Sequence, residues 1–140
     1  MDLRSFGRKM RVTGATVADN ATALVRKVAL AVDEELVYST PVDTGRARSN
    51  WQVEIDSPAK GTVDPVGAAE ALARAEAKVQ ESKPGSTIHI TNNLPYIGRL
   101  NEGWSAQAPA GFVETAVLNG ALRIKGAKLL VKQNGRVIGG

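Results

Sequence analysis

Residues 87–113 run Thr87-Ile88-His89-Ile90-Thr91, then Asn92-Asn93-Leu94-Pro95-Tyr96-Ile97-Gly98-Arg99-Leu100-Asn101-Glu102-Gly103-Trp104, and close on Gln107-Ala108-Pro109-Ala110-Gly111-Phe112-Val113. The first five alternate β-branched residues with polar ones, which predicts a strand with Ile88 and Ile90 inward and His89 outward. Tyr96 to Asn101 reads as a short helix with Gly103 as its left-handed stop. Pro109 or Ala110 then opens a further helix to about Leu122. A strand exit, a short helix, a glycine turn and a new helix therefore follow one another closely. Aromatic residues gather here in a chain that is only 4% aromatic. The stretch holds no nucleophile–base pair and no metal-ligand set, so it reads as a shaped, rigid contact surface.

Towards the N-terminus, Val17, Ala21, Leu24, Val28, Ala31, Val32 and Leu36 step by three and four, the stripe of an amphipathic helix. Asp19, Arg26, Lys27 and Asp33 fall off that stripe. The helix begins near Thr16, runs about six turns, and ends near Tyr38, because Pro41 disfavours helical geometry at Thr40. Pro41 to Gly45 is a turn, in which Asp43 or Thr44 caps a short helical turn carrying Arg46 and Arg48. Trp51, Val53 and Ile55 alternate with Gln52, Glu54 and Asp56 as a half-buried strand. After a loop, Asp64-Pro65 starts an alanine-rich helix that reaches about Ser82 and is stopped by Pro84-Gly85. Residues 1–14 are basic and weakly patterned, with Leu3, Phe6 and Met10 at helical spacing. In the tail, Lys128–Lys132 and Arg136–Ile138, joined at Asn134-Gly135, have the signature of a small hairpin. The order predicts an α+β fold, with a long N-terminal helix and shorter helices packed on a small, mainly antiparallel sheet. Three regions follow: a basic segment 1–14, the α+β domain 15–122, and a basic arm or hairpin 123–140.

The chain has 140 residues, 18 basic against 14 acidic, for a net charge of +4. That length suits one domain with a modest core. With so few aromatics, the core must be built from Val, Ile, Leu and Ala, which bury little area each and favour association with other copies. There is no cysteine and one histidine, which excludes disulfides and zinc sites of imidazole and thiolate. No apolar run has the length of a signal peptide or membrane span, so a soluble protein made in the cytoplasm is expected. The charge sits at the ends: Arg4, Arg8, Lys9 and Arg11 at one, and Arg123, Lys125, Lys128, Lys132 and Arg136 at the other. Basic ends on a neutral body fit contact with DNA phosphate or an acidic partner, or serve solubility alone.

Asp43-Thr44-Gly45 is the triplet of aspartic proteases, whose chemistry needs two carboxylates sharing a proton. Arg46 and Arg48 beside it would favour the ionised form, the wrong direction for that dyad. His89 is the chain's one histidine, and no Ser or Cys stands at a catalytic spacing from it in the sequence. Glu34-Glu35 and the set Glu70, Glu76 and Glu81 read as solvated helix faces. No phosphate-cradling glycine loop occurs, so no cofactor is expected and nothing argues for an enzyme. Trp51 reads as core. Tyr96 and Trp104 read either as core plugs or as anchors of a protein contact, where such residues are enriched.

Two motifs give the chain a resemblance. Thr40-Pro41-Val42-Asp43-Thr44-Gly45-Arg46 through Trp51, and Asn92-Asn93-Leu94-Pro95-Tyr96 through Phe112-Val113, resemble the tail-completion, or head–tail joining, proteins of long-tailed bacteriophages over roughly residues 15–120. The resemblance implies a structural virion protein without catalytic residues, forming a ring in the neck between portal-side proteins and the tail tube. It implies a homo-oligomer, usually a hexamer, around the channel through which genomic DNA passes. Pro41, Asp43, Thr44 and Gly45, with Gly103, would fix the turns. Asn93, Pro95, Tyr96, Glu102, Trp104 and Phe112 would meet a neighbouring subunit. Ala47 stands where the family more often has a larger apolar residue, and the tail after Leu122 has no firm counterpart there, reading as an arm towards a neighbour. A tail-terminator or head-closure ring of the same neck is the alternative within this class. A small nucleic-acid-binding module and an aspartic protease dimer are the alternatives outside it.

Overall fold

The computed structural model describes residues 10–13, 19–42, 44–124, 131–133 and 136–138. In chain order these form β1 (Met10–Thr13), α1 (Asp19–Ser39), α2 (Arg46–Ser49), β2 (Gln52–Ile55), α3 (Ala68–Val79), β3 (Thr87–Thr91), α4 (Ile97–Asn101), α5 (Phe112–Leu122), β4 (Val131–Gln133) and β5 (Arg136–Ile138). The fold is α+β. The strands make one antiparallel sheet in the order β2-β3-β1-β4-β5. β3 pairs Ile88 with Ile55 and Ile90 with Val53 on one side, and Ile88 with Val12 and Ile90 with Met10 on the other. The alternation read in 87–91 is thus the register that buries Ile88 and Ile90 completely. β1 lies within the weakly patterned N-terminal segment, where the spacing of Leu3, Phe6 and Met10 pointed to a helix; Leu3 and Phe6 lie outside the described residues. β4 and β5 pair as the expected hairpin, and both terminal regions thereby join the sheet of the central domain.

α1 is the axis of the molecule. It packs against α5 and α3 and touches α2, β1 and β3. Contact on several sides explains an arc of burial wider than one stripe: Val28, Ala29, Ala31, Val32, Asp33, Leu36 and Val37 are all buried. The approach of α5 is closest at Gly120. A Cβ there would stand 2.5 Å from Val32 Cα and 2.7 Å from Val32 N, so the two backbones touch and not even a methyl fits. Arg26 ties the other flank, donating from its guanidinium to the hydroxyl and carbonyl of Ser82 just past α3.

Two helix starts differ from their local signals. α3 begins at Ala68, not at Asp64-Pro65, with extended Gly67 as its N-cap. The reason is tertiary. Val66 N–H donates to Ser49 Oγ at 2.8 Å, and Asn50 clasps Val63, accepting from its N–H at 2.8 Å and donating to its carbonyl at 3.0 Å. That stretch is held to α2 and cannot wind. α5 likewise begins at Phe112, after a left-handed Gly111 (φ 79°), not at Pro109 or Ala110.

Asp33 departs furthest from expectation. Off the apolar stripe, it is nonetheless fully buried, and among the described residues neither carboxylate oxygen has a hydrogen-bond partner. Burial pushes its pKa from the ordinary 3.8 up to about 7, with Arg74 pulling partly back and Glu34 pushing further up. Between about pH 4 and pH 7 the folded chain keeps a proton that the unfolded chain has released, so this group's contribution to stability falls as pH rises through that window. Asp33→Asn is therefore expected to be more stable than the parent at pH 8, by roughly 2–4 kcal/mol, with the advantage shrinking towards zero near pH 4. Urea denaturation of both proteins across this range is the check. A difference that does not change with pH contradicts a buried, proton-holding Asp33.

Candidate functional site

The two motif segments, far apart in sequence, form the two walls of one groove. The first wall is the turn after α1. Thr40 Oγ1 donates to Leu36 O at 2.5 Å and accepts from the buried indole Nε1 of Trp51 at 2.8 Å, so the end of α1 and the start of β2 are pinned across the turn. Within it Gly45 adopts a left-handed φ of 79°, and Thr44 Oγ1 accepts the N–H of Arg46 at 3.3 Å. The N-cap of α2 is Gly45, without a side-chain cap, so the capping expected of Thr44 is a correction: its hydroxyl makes only this local turn contact, while Asp43 lies outside the described residues.

The second wall leaves β3 at Asn92. Its buried carboxamide donates to Ala47 O in α2 at 3.0 Å, and its Oδ1 accepts Leu94 N–H at 3.2 Å. Leu94 and Ile97 are sunk in the interior, which leaves Tyr96 and Leu100 half-buried along the wall. Gly103 ends α4 at φ 92°, and a Cβ there would stand 3.2 Å from Ala110 Cβ. Asn101 secures the far side. Its Oδ1 accepts Val113 N–H at 2.8 Å, its carbonyl accepts Gly111 N–H at 2.7 Å, and its Nδ2 donates to the Glu114 carboxylate at 2.9 Å. A residue eleven positions upstream of α5 therefore caps that helix.

Between these walls lies an open groove of about 610 Å³, lined by Pro41, Thr44, Gly45, Arg46, Ala47, Tyr96, Leu100, Trp104, Ser105, Ala106 and Gln107. Gln107 Oε1 accepts Val42 N–H at 2.7 Å and closes one end. Trp104 stands at the lip with 70% of its surface exposed. The Arg99 guanidinium lies 5.3 Å from the centre of its ring, a cation–π contact that holds the indole outward. A smaller hollow of about 220 Å³ lies between β2 and α3, lined in part by Trp51, Val53, Arg74 and Lys78. Lys78 is bridged there by Glu54 at 3.4 Å and Glu81 at 3.5 Å.

The structure brings the expected turn residues Pro41, Thr44 and Gly45 together with Tyr96 and Trp104 on one groove. Pro95 and Glu102 are exposed near it. Phe112 is a correction: it is buried in the core with 3% exposure, drawn in by the capping of α5, and presents nothing to a neighbour. The Asn93 amide is spent within the chain, donating to Ala59 O at 2.9 Å and Gly61 O at 3.0 Å. Arg123 meets acid inside its own chain, at 3.1 Å from Glu34 and 3.4 Å from Glu35, which answers its charge without DNA. Lys125 and Lys128 lie outside the described residues, as do the side chains of Lys132 in β4 and Arg136 in β5. Asn92 and Asn101, not singled out from sequence, carry the geometry. The available signal was an amide placed directly after a buried strand, and another directly before a glycine turn.

Among the described residues no group of His, Asp and Glu could hold a metal ion, and no helix is long and apolar enough to cross a membrane. No family model, curated protein or solved structure matches the chain. Asn92→Ala takes the acceptor away from the buried Leu94 N–H and removes one of two donors to the Ala47 carbonyl, which keeps the N–H of Asn50, and is expected to cost about 1–3 kcal/mol. Urea denaturation measures it, and an unchanged midpoint would show that the amide does not hold the walls together.

Proposed function

We propose that this chain is a structural subunit of a long-tailed bacteriophage neck, assembling into a ring that joins head to tail around the DNA channel. The observation that carries the reading is the groove. The two segments on which the resemblance rests, separated by some fifty positions, are its two walls, and its lip is an exposed tryptophan held by an arginine. Trp and Arg in this combination are characteristic of protein contacts. The role is passive. Left-handed glycines and buried amides set the shape of the surface, and assembly energy comes from covering it.

Light scattering on the purified protein, coupled to negative-stain imaging, tests the reading. Closed rings with a mass that is a multiple of 14.8 kDa, six-fold as the resemblance implies, are the expected result. In a phage carrying this gene, its deletion is expected to leave full heads and finished tails unjoined. A strict monomer together with normal virions from the deletion overturns the proposal.

A further inference from the structure

Among the described residues nothing covers the outer face of α5, where Leu118 and Leu122 stand beside Glu114, Thr115 and Asn119. Phe112, Val113, Ala116, Val117 and Gly120 point into the core, yet Leu118 and Leu122, one turn apart, are 57% and 72% exposed. Two large apolar side chains exposed one turn apart on a helix form a small patch of the kind that contacts cover. Besides these two leucines, the large apolar side chains exposed among the described residues are Tyr38, Val42 and Trp104. Val42 and Trp104 flank the groove, and Tyr38 lies one turn before Pro41. The chain thus exposes large apolar side chains in two unlike places, one concave and one convex.

Counted over the described residues, their charges are opposite. Beside the end of α5, Glu34 and Glu35 share the single guanidinium of Arg123, leaving one carboxylate in excess. Around the groove stand Arg46 and Arg99 against the carboxylate of Glu102, and neither arginine has an acidic partner among the described residues. Unlike surfaces that match in shape and charge pair head to tail, and such heterologous contacts generate rings or filaments, not two-fold dimers.

We propose that copies of this chain associate by seating the Leu118–Leu122 face of α5 of one copy in the groove between Pro41–Ala47 and Tyr96–Gln107 of the next. The acidic pair Glu34 and Glu35 then faces Arg46 and Arg99 across the contact, and Trp104 closes over the leucines. The inference rests on the ring reading above and specifies its interface.

A mixing experiment with two variants tests it. Trp104→Ala disables the groove, and the double variant Leu118→Asp with Leu122→Asp disables the helix face. Both change only exposed side chains. Each variant alone is expected to stay monomeric where the parent assembles, with apparent dissociation constants raised roughly tenfold or more. Mixed in equal amounts, they are expected to form a dimer of one copy each, because one intact groove then meets one intact helix face and the remaining two surfaces are dead. That dimer also demonstrates that both variants are folded. If the leucine variant assembles like the parent, or the mixture stays monomeric while the parent assembles, this interface is overturned and the ring reading stands with another contact. If the parent itself never associates, the ring reading falls and this interface with it.

Discussion

A buried carboxamide, that of Asn92, bonds to each other two segments that the chain places far apart. Its Nδ2 donates to the carbonyl of Ala47 and its Oδ1 accepts from Leu94, both away from water. A hydrogen bond in that setting contributes about 1 kcal/mol net, but a buried Leu94 N–H left without its acceptor costs the desolvation of that group, while the Ala47 carbonyl keeps the N–H of Asn50. The Trp51–Thr40 bond and the Val42–Gln107 bond extend the same clamp to the base and the end of the groove. Remove the clamp, and Tyr96, Leu100 and Trp104 have no fixed opposite wall.

The same economy recurs around the molecule. Short polar side chains, not regular structure, fix the loops. Asn50 and Ser49 hold residues 63–66, Asn93 holds Ala59 and Gly61, and Asn101 caps α5 from a distance. In a core short of aromatics, where individual side chains bury modest area, such amides supply definition that packing alone would not. Gly120 adds the complementary device, removing a side chain so that α5 can lie directly on the backbone of α1.

The sequence made legible what is set locally. The three-and-four spacing from Val17 to Leu36 announced α1, the alternation at Thr87–Thr91 announced β3, and Gly103 stopped α4 in the left-handed region as its position implied. Tertiary contacts hid the rest. Asp64-Pro65 and Pro109-Ala110 are good local helix starts, but Ser49 holds Val66 at both its N–H and its carbonyl, Asn50 holds Val63, and Asn101 takes the N–H groups of Gly111 and Val113, which fixes these stretches by tertiary bonds. Asp33 lies off the stripe of α1, and only the packing of a second helix on that side buries it. β1 has too few residues to carry a period of its own, so its place beside β3 could not be read from spacing. The groove was half legible: its residues were gathered in two motifs, but nothing local says that these face each other.

On the proposed reading the groove is covered by a neighbouring copy, and the chain's two tryptophans report on whether it is. Trp51 is buried and bonded to Thr40, whereas Trp104 stands in solvent. Acrylamide quenching of tryptophan fluorescence, followed as protein concentration rises through assembly, therefore tests the central claim most directly. The account predicts a quenchable fraction at low concentration that is lost in step with association, as neighbouring copies cover Trp104. Copies that associate while Trp104 stays fully quenchable would contradict it.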